Sequence, residues 1–135
     1  MAGMNRRSAL TLALVAASAA AAPRDAMAQP QGKEVASGVR RVERGKRASM
    51  IPAFKTVSMV DIVYQPKAKL TDGVPMANDM VCHCPKGELR VRQNPGGTFV
   101  AKKGDVWSCN KGLLEDTENI GTGIAVMRII NLLPG

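Results

Sequence analysis

Asp79 to Val91, DMVCHCPKGELRV, sets two cysteines on either side of the chain's single histidine. Thiolate and imidazole ligate soft and borderline metals, and thiols also carry redox chemistry. Whether Cys82, His83 and Cys84 act together depends on the element that holds them. The surrounding apolar residues make the stretch a strand, and strand side chains alternate between two faces. His83 then faces away from both cysteines, which excludes a Cys-His-Cys chelate. His83 is left as a ligand or acid-base group on an outer face, or as a hydrogen-bonded surface or interface residue. The cysteines have three readings: small buried apolar residues, a Cys82–Cys84 disulfide at the limit of disulfide geometry, or a disulfide from Cys109 to Cys82 or Cys84. No nucleophile and base occur at a recognisable spacing. Asn94-Pro95-Gly96-Gly97 is too short to cradle a phosphate and reads as a turn.

The elements around these residues read as short strands. FKTVSMVDIVY is rich in β-branched and apolar residues and is closed by Pro66. DMVCHC and ELRVRQ are divided at Pro85-Lys86-Gly87, and NPGG precedes TFVAKKGDVWSC, itself broken at Lys103-Gly104. NKGLLEDTENIGTG reads as a connection to a last strand, IAVMRIINLL. Turns every 8 to 12 residues or so point to an all-β sandwich or barrel.

The start of the chain carries an address. Arg6 and Arg7 precede an apolar run from Ala9 to Ala22, and Ala26-Met27-Ala28 offers small residues where a signal peptidase cuts. The run is shorter than the roughly 20 residues a membrane span needs. Export to the periplasm or beyond is therefore expected, by the Sec or the twin-arginine route, with residues 1–28 as signal peptide. Cleavage before Gln29 leaves 107 of the 135 residues and lowers the net charge from +8 to +6. Residues 29–49 then hold Lys33, Arg40, Arg41, Arg44, Lys46 and Arg47 against Glu34 and Glu43. This basic segment reads as a solvated linker or edge strand, with a weak anionic membrane contact through 40–47 as the alternative. One Trp, one Tyr and two Phe leave little to stack on bases, so no nucleic-acid partner is expected.

From about Phe54 to Pro134 the chain resembles a small single-domain cupin. The resemblance rests on GELRV, on GGTFVAKKGDVWSCNKGLLEDTEN and on the apolar last strand. The second cupin motif, G-x5-P-x-G-x2-H-x3-N, falls on Gly104, Asn110, Gly112, Glu115 and Asn119, with asparagine for proline and glutamate for histidine. The first motif ends at Gly87. Its glutamate position falls on Met80 and its histidine pair on Val74 and Met76, or on Gly73 and Pro75 with the longer spacing. The resemblance implies an all-β, cupin-like jelly-roll antiparallel β-barrel over 50–135 that lacks the usual ligands for iron, manganese, nickel or zinc. It also implies a homodimer, by sheet packing or by exchange of an N-terminal strand such as GVRRVERG.

On this alignment Met76, Met80, Cys82 and Glu115 converge at the barrel mouth, with Cys84 as a further candidate. The resemblance thus implies a small-molecule pocket without metal, bounded by Met76, Met80, Cys82, Trp107 and Glu115. No cofactor is expected. Two alternatives stand beside this: a soft copper(I) site at Met76, Met80, Cys82 and Glu115, and a metal-dependent cupin enzyme. Glu115 is either a general base or ligand anchor, or an exposed loop carboxylate beside Asp116 and Glu118. Trp107 is either a pocket wall or part of the core or an interface.

Overall fold

The computed structural model describes residues 31–71 and 73–135; the expected signal peptide lies outside them. Ten strands follow one another: β1 (Lys33–Ala36), β2 (Val39–Ala48), β3 (Thr56–Tyr64), β4 (Lys69–Thr71), β5 (Asp79–Lys86), β6 (Glu88–Asn94), β7 (Gly97–Lys102), β8 (Val106–Cys109), β9 (Leu114–Asn119) and β10 (Ala125–Leu133). They pair antiparallel in a six-stranded sheet of order β1-β2-β3-β10-β5-β8 and a four-stranded sheet of order β4-β9-β6-β7. The fold is an all-β, cupin-like jelly-roll barrel.

Alternation decides what each strand gives to the interior. Val60, Ile62 and Tyr64 of β3, Met127 and Ile129 of β10, and Met80, Cys82 and Cys84 of β5 meet Leu89, Val91 and Ala101 of the smaller sheet. Burying one such aliphatic side chain contributes about 1.5–3 kcal/mol. Tyr64 crosses between the sheets, its hydroxyl 2.5 Å from Thr117 Oγ1.

Three expectations change. β2 pairs with β3 of its own chain from Val39↔Tyr64 to Ala48↔Thr56, so residues 33–48 belong to the barrel rather than to a segment ahead of it. GVRRVERG is occupied within the chain, because its alternation buries Val39 against the same core as β3. LEDTEN is a strand: Glu115, Thr117 and Asn119 are buried while Leu114, Asp116 and Glu118 turn outward. Polar residues on both faces hid that alternation from a hydropathy reading.

Turns and bulges set the register. β5 continues through Pro85 to Lys86, and the reversal into β6 falls on Gly87 alone. Gly87 has φ +79°, and a Cβ there would lie 2.8 Å from Ala125 Cα, so glycine is required both by backbone angle and by space. In β2 a bulge between Glu43 and Gly45 leaves Arg44 as the extra residue and turns it over the outer face. There Arg44 Nε donates to Asp61 Oδ2 at 2.9 Å, while Arg128 donates from Nε to Oδ1 at 2.8 Å and from Nη2 to Oδ2 at 2.9 Å. The Arg128 hydrogen bond, against the opposing effect of burial and with help from Arg44, holds the Asp61 carboxyl below its ordinary pKa.

Candidate functional site

A cavity of about 270 Å³ opens at the end of the barrel where β3 and β5 begin and β10 ends. Its walls are mostly apolar, with Ile62, Leu70, Met76, Met80, Met127 and Ile129 among them. Polar groups enter at a few points: Arg41 from β2, Glu115 and Thr117 from β9, and Ser58, Asn78 and Asn131 near the mouth.

Of the sequence-derived residues, Met76, Met80 and Glu115 meet here. Met76 is fixed outside any strand: its N–H donates to Leu113 O and its carbonyl accepts from Gly112 N, both at 2.8 Å. Met80 projects inward from β5 and is buried. Glu115 is only 5% exposed, which replaces the exposed-loop reading: strand alternation carries it into the barrel. Its Oε2 accepts from Gln93 Nε2 at 3.0 Å and from Cys109 Sγ at 2.9 Å. Its Oε1 makes no hydrogen bond among the described residues.

Cys82 and Trp107 do not line the cavity. Cys82 lies one inward position beyond Met80 along β5, fully buried. Trp107 pairs with it across β5 and β8 and packs edge to face on Phe99, with ring centroids 5.8 Å apart. Its side chain bridges β8 to Phe99 of β7, and its Nε1 is buried with no hydrogen-bond partner among the described residues. Cys84 is deeper still, with Sγ 3.5 Å from the carbonyls of Lys86 and Gly87. His83 stands on the opposite face of β5 from the cysteines, in register with Arg128 and Val106.

Cys82, Cys84 and Cys109 are free and buried, so the Cys82–Cys84 disulfide and the disulfide to Cys109 are both absent. In register Cys109 faces Met80 rather than either cysteine. Its thiol is pushed far up in pKa by contact with Cys82, by burial and by the hydrogen bond to Glu115. Burial is the main cause that raises Cys84. Thiols held protonated in this way are poor nucleophiles.

A hard-metal centre does not fit these residues. The positions that the cupin resemblance assigns to ligands hold Met80, Glu115 and either Val74 and Met76 or Gly73 and Pro75. Val74 is 65% exposed and outside the cavity lining. Among the described residues no three His, Cys, Asp or Glu side chains are grouped to hold a metal.

Several members of the site were missed from sequence. Cys109 and Gln93 fix Glu115, and a hydrogen-bonded pair at the mouth joins Asn78 Nδ2 to Asn131 Oδ1 at 3.2 Å. Gln93 had a signal, since it follows Leu89 and Val91 at alternate positions of β6. Nothing local marks Asn78, which acts only because β10 brings Asn131 beside it.

This architecture is that of the cupins. The cupin domain of Schizosaccharomyces pombe Cnp3 superposes with a TM-score of 0.60 at 15% identity, over 79% of this chain and 71% of that one. KdgF from Halomonas sp. gives 0.57 at 13%, over 76% and 86%, and an RmlC-like cupin from Shewanella frigidimarina 0.57 at 16%, over 77% and 85%. At such identities the likeness shows the fold alone. No protein-family model matches the chain, and no curated protein matches it significantly by sequence.

Proposed function

We propose that this protein is an exported small-molecule-binding barrel whose ligand occupies the cavity between Met76, Met80 and Glu115 without a metal. The observation that carries this reading is the buried Glu115: two neighbours hold one carboxyl oxygen, and the other is left for a ligand donor. A mostly apolar cavity with a few convergent polar groups is the usual form of such a site. The test is mass spectrometry of small molecules released from protein purified from its native host. A stoichiometric organic molecule is expected, and Glu115→Gln should weaken its rebinding about tenfold or more while the fold persists. Protein that carries no such molecule, and that no member of a broad metabolite panel stabilises against heat, would overturn the reading.

Copper(I) is the second reading, favoured by one arrangement: Met80 and Cys109 face each other across β5 and β8, with Cys82 beside them. Sulfur ligands select this ion. Elemental analysis after anaerobic purification separates the two, since stoichiometric copper lost in Cys82→Ser would put this reading first. We also propose a homodimer formed by sheet packing. Supporting it, Val57, Met59, Val63, Ile130 and Leu132 share the outer face of the six-stranded sheet, where half-solvated sheets usually carry polar side chains.

A further inference from the structure

The connection from β2 to β3 combines two features that the barrel does not need. It is apolar where it is most exposed: Met50 is 99% exposed and Ile51 50%, with Pro52 and Ala53 exposed beside them. It is also flanked by cations. Lys46 and Arg47 lead into it and Lys55 leads out, all three exposed and without an ion-pair partner among the described residues. From Arg44 to Val60 there is no carboxylate in the sequence.

The tip is preformed. Ser49 N donates to Lys55 O at 2.9 Å, Phe54 N to Ile51 O at 3.0 Å, and Ile51 N to Ser49 Oγ at 2.9 Å. These bonds turn the backbone inward on itself and leave the side chains of Met50 and Ile51 in water. Of the cations in 40–47, Arg40 donates to the Gly32 carbonyl, Arg41 pairs with Glu43 and lines the cavity, and Arg44 lies over Asp61, which leaves Lys46 and Arg47, with Lys55, as the free charge.

We propose that this hairpin tip docks the protein on an anionic lipid surface, Met50 and Ile51 entering the headgroup boundary while Lys46, Arg47 and Lys55 meet lipid phosphates. The charge pattern chooses lipid. Apolar side chains ringed by unpaired cations match an interface that is anionic at its surface and apolar a few ångströms below. A second copy of the chain would present the same cations and repel them. The hairpin stands at the cavity end of the barrel, since Lys46 pairs with Ser58 and Lys55 N donates to Leu133 O, and both Ser58 and Leu133 line the cavity. Docking by the tip therefore turns the cavity mouth toward the lipid, whatever the cavity binds.

Sedimentation of the full chain with vesicles tests this, with phosphatidylglycerol mixed into phosphatidylcholine against phosphatidylcholine alone. Parent and variants are the same full chain apart from the tip, so a difference between them reads the tip and not residues 1–30. Binding is expected only with the anionic lipid. It should weaken as salt rises from about 0.01 M to about 0.15 M, which shortens the screening length from about 30 Å to about 8 Å. At roughly fivefold per cation, Lys46→Ser/Arg47→Ser/Lys55→Ser should lose about 100-fold in partitioning. Met50→Ser/Ile51→Ser should lose about tenfold or more with the charge unchanged. All these positions are exposed, so an unchanged thermal transition is expected and checks folding. Equal pelleting of parent and variants, or of parent on neutral and anionic vesicles, would overturn the proposal. So would a Met50→Ser/Ile51→Ser variant that changes oligomeric mass in light scattering without any vesicle binding by the parent, because the tip would then be a protein interface.

Discussion

Asp61 is an acid in the middle of TVSMVDIVY, and Arg128 interrupts AVMRIINLL in the same way. Each looks misplaced until β3 and β10 pair and bring them into register. Replacing Asp61 with Asn should destabilise by about 1–3 kcal/mol at neutral pH, less than for a fully buried pair because both arginines reach solvent. The pH dependence follows from the lowered carboxyl pKa. The stabilisation is full above the unfolded value near 3.9 and is lost as pH falls through the lower folded value, so Asp61→Asn should flatten the acid side of a urea-midpoint profile. The cysteines give a second check. Cys84 and Cys109 are raised and all three thiols are buried, so a disulfide-exchange reagent should react slowly with native protein and titrate three thiols after denaturation. Two thiols fewer would show a disulfide in the native protein.

Among the elements, β9 shows what a strand does when its inward residues are polar. Asn119 ends it and holds two connections at once. Its Nδ2 donates to the carbonyls of Tyr64, Gln65 and Gly123, and its Oδ1 accepts from Gly121 N at 2.9 Å. Asn119→Ala leaves these groups unpaired and should cost about 2–3 kcal/mol, read as a lower thermal midpoint. Gly87→Ala meets both an unfavourable backbone angle and the Ala125 backbone, and should cost at least about 1 kcal/mol with no change in surface charge. Gly87 and the strands on either side of it could be read from sequence, because glycine at a reversal is a local requirement. The strand nature of LEDTEN could not, since its inward Glu, Thr and Asn are buried only because Gln93, Cys109 and Tyr64 receive them.

Over the whole molecule the two sheets differ in their outer faces. The four-stranded sheet is laced by Arg90–Glu118 at 3.1 Å and Arg92–Asp116 at 2.6 Å, pairs too exposed to stabilise by more than about 1 kcal/mol each. The six-stranded sheet instead shows Val57, Met59, Val63, Ile130 and Leu132 around the Asp61 ion pairs. If two copies pack there, light scattering should give twice the chain mass, and Ile130→Glu should return a monomer without unfolding it. A monomeric parent would remove the dimer.

Turns and alternation specified an all-β sandwich or barrel, because strand period and turn chemistry are local properties of the chain, while its cupin-like form was implied by the family resemblance carried by Gly104, Gly112 and Asn119. The residue types at the positions that this resemblance assigns to metal ligands were equally legible: Met76 and Met80 cannot become histidines however the chain folds. Which residues share the cavity was decided only by tertiary structure. Cross-strand register set Cys109 opposite Met80, and two separate strands brought Gln93 and Cys109 to Glu115. Cys82 and Trp107 left the cavity for the core by the same register. Contacts between residues far apart in sequence depend on how sheets are ordered and closed, and no local pattern encodes that order.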